Sequence, residues 1–324
     1  MPSLAIAKNA LLESIRQPVF VVLLVAGSLA LILNVNLAAF TLEDDNKLLV
    51  DLGLSTLLIA GLLMAAFTAT SVLSREIDSR TVLTVVSKPV SRASVVVGKY
   101  FGVAAALGLG FWTLSVIFLL TVRHRVQSSA RIADTFDLPV LVMGLLFATL
   151  ALAVAGLANY LYRRPFPSVY AVSMAIGMTV ALGIVSCVDR TWGFQHPLTD
   201  WDPQLMIALA LVFQAILVLA AVAVAASTRL GQVSTLLVCS AVFLAGLVSE
   251  YVVSMLLGEP PTGGLVGAFA AAVPNLQFFW PADAITQGHP ISLAYLGMVT
   301  LYAVSLVAAC ISLAVLLFQR RDVG

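Results

Sequence analysis

Long uninterrupted apolar runs, separated by short clusters of charged and turn-forming residues, dominate the chain from residue 18 onward. A hydrocarbon core about 30 Å thick is crossed by roughly 20 helical residues, and runs of about that length fall at 18–41, 52–74, 100–122, 138–161, 168–188, 204–226, 233–257 and 291–318. The pattern predicts an all-α polytopic membrane protein of about eight spans. Residues 1–324 form one transmembrane domain, with no fixed-period repeat, low-complexity tract or soluble domain.

Three stretches break the pattern. In 1–17, Leu4, Leu11 and Ile15 fall on roughly one helical stripe with Asn9, Glu13 and Arg16 away from it. That spacing suits a short amphipathic helix along an interface, the alternative being a frayed tail. The first run, about 24 residues, is too long for a secretory h-region and reads as a retained signal anchor. In 258–290, Pro260, Pro261, Gly263 and Gly264 precede an apolar piece, Leu265 to Val273, that ends at Pro274. It is too short to span, which predicts a re-entrant or interfacial hairpin on the outer face.

The third is 75–99, the longest and most charged of the loops assigned to the inside. Pro89 biases Lys88 away from helix, so a first short helix ends there, and Ser91 can cap a second leading into the third span. A short helix beneath the bilayer with a proline elbow could pass a partner's motion to two spans. The bland reading, an ordinary positively charged stop between helices, fits the same residues.

Composition agrees with lipid as the solvent: DEKR make up 10% of the chain and AVILMFWYC 61%, with a mean hydropathy of +1.05. A net charge of +1 with scattered cations gives no case for a nucleic-acid partner. Lys and Arg accumulate on the cytoplasmic side of membrane proteins. Both termini placed inside put Lys8, Arg16, Arg75, Arg80, Lys88, Arg92, Lys99, Arg163, Arg164, Arg229, Arg320 and Arg321 there, twelve of the 17 cations. Lys47, Arg123, Arg125, Arg131 and Arg190 fall outside, three of them in the 123–137 loop against the trend. Most acids, together with Trp192, Trp201 and Trp280, fall on the outer side, as an aromatic belt would.

The remaining chemistry is sparse. Cys187, Cys239 and Cys310 lack disulfide or metal spacing, and Met174 and Met178 lack a third soft ligand. His124, His196 and His289 are read as surface residues, and no metal site or hydrolase motif is predicted. Glu250 is the one acid well inside a predicted span. A carboxylate there marks a transport pathway by default, unless water, Tyr251 or Ser254 satisfies it. Gly102, Ala106 and Gly110, and Gly144 with Ala148, form small-xxx-small stripes that predict close helix packing. No Gly-x-x-x-x-Gly-Lys-[Ser/Thr] phosphate loop occurs, since Gly98-Lys99 continues into Tyr100.

The run Glu76, Arg80-Thr81, Lys88-Pro89, Ser91-Arg92 and Gly98-Lys99 resembles the loop signature of ABC-2 type permeases, in the branch serving nitrous-oxide-reductase and multi-copper-enzyme maturation. Ser227-Thr228-Arg229-Leu230, Val273-Pro274-Asn275-Leu276 and Arg320-Arg321-Asp322 resemble it further. The resemblance implies a six-span core, here with an extra hairpin over 168–226, and a permease subunit without a nucleotide site of its own. Glu76, Arg80, Thr81, Lys88, Pro89, Arg92 and Lys99 would couple it to an ABC ATPase dimer that holds ATP and Mg. A second permease copy or a paralogue, membrane lipid and an extracytoplasmic accessory protein are the other implied partners. The expected role is export of a hydrophobic or amphipathic substrate across an inner or plasma membrane. Alternatives are a secondary transporter, which needs ionisable ligands at the midplane, and a mechanotransmitting scaffold that transports nothing.

Overall fold

The computed structural model describes residues 2–38, 45–78, 91–125, 137–197, 199–257 and 274–319, with the side chains of 73–78 and 250–257 outside that description. The chain is helical along almost all of this length. The helices are α1 (Pro2–Ile15), α2 (Pro18–Ala38), α3 (Asp45–Asp78), α4 (Arg92–His124), α5 (Leu138–Tyr162), α6 (Phe166–Ser186), α7 (Pro203–Ser227), α8 (Gln232–Leu257), the short α9 (Ala282–Thr286) and α10 (Leu293–Gln319). Eight of them, α2 to α8 and α10, are long and apolar enough to cross a membrane.

Their starts follow from local chemistry. Pro18 opens α2 where a backbone N–H would be unpaired anyway. Ser91 Oγ accepts from the Ser94 N–H at 3.2 Å, so the expected cap of α4 is in place. Asp137 caps α5 through Val140 N at 3.2 Å, and Asp202 caps α7 through Gln204 N at 2.9 Å.

α4 and α7 are the most enclosed spans, and α7 packs against α3, α4, α8 and α10. The second half of residues 168–226, the stretch expected as an added hairpin, therefore supplies the centre of the bundle. Lipid tails are as apolar as leucine, so helices associate there through close fit and interhelical hydrogen bonds. Both are visible. Gly53 receives the Phe118 ring and Gly61 the Ile216 side chain. Asn34 donates to Thr56 Oγ1 (2.9 Å), Gln214 to Thr300 Oγ1 (2.9 Å) and Trp112 to Thr179 Oγ1 (2.8 Å).

Of the two small-residue stripes, the one on α4 packs as expected: Gly102 meets α1, Ala106 is buried, and Gly110 faces Met64 and Phe20. On α5 the expectation fails within this chain, because nothing lies within 4 Å of where a Gly144 side chain would begin. α5 rests mainly on α6 and leaves a broad face of Leu141, Leu145, Leu152 and Leu157 open. His196 and His289 are exposed as expected, whereas His124, the last residue of α4, is half-buried.

The predicted outer hairpin lies partly outside the described residues, at 258–273. From Pro274 the chain forms a 3-10 turn (Leu276–Phe279) and α9. This segment closes against α8: any side chain at Gly246 would meet Pro274 O at 2.5 Å and the Leu276 side chain at 2.8 Å.

Candidate functional site

The charged loop is carried on two stalks, the end of α3 and the start of α4. Arg80, Thr81, Lys88 and Pro89 lie outside the described residues. Glu76 sits in the last turns of α3, where the backbone is helical and the side chain is outside the description. The structure brings the remaining two expected residues to bear on the stalks themselves. Lys99 is 5% exposed, and its Nζ donates to Val72 O at 2.9 Å. A lysine withdrawn this far cannot form a docking surface. It bridges the two stalks two turns inside α4, where its charge is accommodated by a carbonyl dipole.

Arg92, the first residue of α4, donates through Nη1 to Gln319 O at 2.9 Å. Gln319 is the last described residue of α10. Arg229, in the turn between α7 and α8, reaches the same segment: Nε and Nη2 donate to Leu317 O at 3.2 and 3.0 Å. Arg229 is not among the residues expected for coupling. The signal available for it was a lone cation at the junction of two spans, in the Ser227 to Leu230 motif.

α1 lies against the α4 stalk. A Cβ at Gly98 would come within 2.9 Å of Ser3 O, and one at Gly102 within 2.5 Å of Ala7 O and Ala10 Cβ. The helix expected over 1–17 exists, and of its expected stripe Ile15 is buried and Leu11 packs against the core, while Leu4 is 72% exposed. Ala10 and Ser14 are buried beside them. Backbone proximity selects small residues at such a contact, not large apolar ones. Gln17 then donates to Ser71 Oγ, tying the α1–α2 elbow to α3.

At the opposite end, a second charged cluster closes the α4–α5 connection. Arg123 Nε lies 3.2 Å from Asp137 Oδ2, and its other nitrogens donate to the carbonyls of Val185 and Val188 at the end of α6. Asp200 approaches Arg123 Nη1 at 3.5 Å and accepts from Gln195 Nε2 at 2.8 Å. Arg190 Nε stands 4.0 Å from the same Asp137 oxygen. Two of the outer arginines are thus structural. Glu250 is in α8, with its side chain outside the description.

The arrangement offers a loop on two bridged helices, buttressed by α1 and joined to α10, so displacement of the loop must move long helices. A family model described as ABC-2 family transporter protein matches residues 48–232, more than half of the chain. The matched stretch contains both stalks, the whole loop and the enclosed helix α7. No curated protein matches the sequence.

Proposed function

The chain belongs to the ABC-2 transporter family, and from that membership we propose that it is the membrane-spanning permease subunit of an ATP-driven ABC transporter, coupled through residues 75–99 to a separate ATPase dimer. The observation that carries the coupling assignment is the loop's mounting. Two helices of more than thirty residues, α3 (34 residues) and α4 (33 residues), meet at it and are bridged by Lys99. A push on the loop is delivered along the full length of both. Because the sequence lacks a phosphate loop, ATP and Mg belong to the partner.

In this reading both termini and the 79–90 loop face the cytoplasm of an inner or plasma membrane, as the distribution of Lys and Arg favours. Two permease halves, identical or paralogous, enclose the pathway, and the scarcity of charge in the spans favours export of a hydrophobic or amphipathic substrate. The branch linked to copper-enzyme maturation is a narrower version of the same proposal, resting on the loop motif alone.

The test is purification of the tagged chain in mild detergent, with identification of co-purifying proteins and an ATPase assay on the complex. A phosphate-loop protein at near-equal stoichiometry is the expected result. A chain that purifies alone would refute the proposal and direct attention to Glu250 and ion-coupled transport.

A further inference from the structure

Three basic side chains at the loop end donate to backbone carbonyls of other elements. Lys99 of α4 reaches Val72 O of α3, Arg92 of α4 reaches Gln319 O of α10, and Arg229 of the α7–α8 turn reaches Leu317 O of α10. Together the links join α3 to α4, α4 to α10, and α10 to the junction of α7 and α8. Those are the helices that surround the centre of the bundle.

The chemistry suits a mechanical link. Each bond is charge-assisted, and two of the three fall on neighbouring carbonyls of α10, those of Leu317 and Gln319. Both arginines converge on one helix end from different elements, so α10 cannot shift at that end without breaking a bond to α4 or to the α7–α8 turn. From this geometry we propose that Lys99, Arg92 and Arg229 form a cationic girdle that carries motion of the 75–99 loop to α10 and, through Arg229, to the α7–α8 junction. Arg229 is the new member: a positioning residue for coupling that acts through α10. The inference rests on the permease reading for its purpose, but the girdle itself is a property of this chain.

The two can be separated experimentally. The first measurement uses the purified chain without any ATPase: amide hydrogen exchange over residues 313–319 in wild type, Arg229→Gln and Arg92→Gln. A charge-assisted hydrogen bond removed from a helix end should speed exchange there about tenfold, while α5 is unaffected. Exchange unchanged in both variants would overturn the girdle, whatever the chain's function.

The second uses the permease–ATPase complex in nanodiscs, with and without ATP·Mg trapped by vanadate. Wild type should show a nucleotide-dependent change in exchange in the first turns of α4, at residues 313–319 of α10 and at the start of α8. Arg229→Gln should keep the change in α4 and lose that at the start of α8, and Arg229→Lys, which retains one donor, should partly restore it. A nucleotide response in α8 that survives Arg229→Gln would overturn the coupling role. Failure to capture any ATPase would instead overturn the permease reading, and the first measurement would still decide the girdle.

Discussion

The guanidinium of Arg123 lies 3.2 Å from the carboxylate of Asp137, with side-chain exposures of 9% and 0%. The loop between them, which with Arg123 places three arginines on the side expected to be poor in cations, is therefore closed at its base by a buried ion pair. Arg123 is neutralised where it sits. The pair also orders three helices, because Asp137 caps α5 while Arg123 binds the carbonyl end of α6 from the end of α4.

Arg123→Gln should leave the buried Asp137 with its cap bond from Val140 N and with Arg190 4.0 Å away, but without its closest cation. Breaking one side of a buried pair typically costs about 3–5 kcal/mol, and the residual Arg190 interaction argues for the lower end. Thermal unfolding in detergent, followed by tryptophan fluorescence, should show a marked loss of stability. Adding Asp137→Asn, which keeps the α5 cap but removes the charge, should recover most of it. A double variant no more stable than the single would contradict the pairing.

Gly102→Leu should detach α1 from α4. The helices approach so closely that even a methyl group would press on Ala7 O and Ala10 Cβ, and overpacking of this kind costs about 1–3 kcal/mol when the backbone can shift. A cysteine introduced at Ala10, which is 3% exposed, should be protected from maleimide in the parent and labelled rapidly in the Gly102→Leu background. Gly144→Leu is the control, since open space surrounds that position.

Lys99→Met should remove the bridge between the stalks with little loss of stability, because a buried ammonium is replaced by an unbranched apolar chain of similar length. ATPase capture should be unchanged, as Lys99 is withdrawn from any docking surface, while nucleotide-driven change in α3 should fall. Loss of ATPase capture in Lys99→Met would place the lysine in the interface after all.

The eight spans were legible because bilayer thickness imposes a length on apolar runs, and the Ser91 cap because serine after Pro89 offers an oxygen to the first turn. Which span is central was not legible. In lipid both faces of a helix are apolar, so α7 and the peripheral α5 look alike in sequence and differ only in what covers them. The α1 contact was legible only in part: Leu11 and Ile15 of the expected stripe pack inward, Leu4 does not, and the close approach made by Gly98 and Gly102 gave no apolar signal. Lys99 read as a loop cation because its charge was visible, and its burial two turns inside α4 was not.

Arg80 and Arg92 were expected to act alike, and the structure separates what reversing each should do. Arg92 binds the Gln319 carbonyl of α10, so Arg92→Glu loses that charge-assisted hydrogen bond and sets a carboxylate against a carbonyl oxygen. The expected outcome is lower thermal stability with the ATPase still captured. Arg80 belongs to the loop that meets the partner under the proposed function, so Arg80→Glu should abolish ATPase capture with the melting temperature unchanged. Parallel pull-down and melting measurements on the two variants check this. If both lose the ATPase and neither loses stability, Arg92 acts at the interface and its bond to Gln319 is dispensable. If both lose stability alone, the 75–99 loop does not dock the ATPase, and the coupling assignment falls.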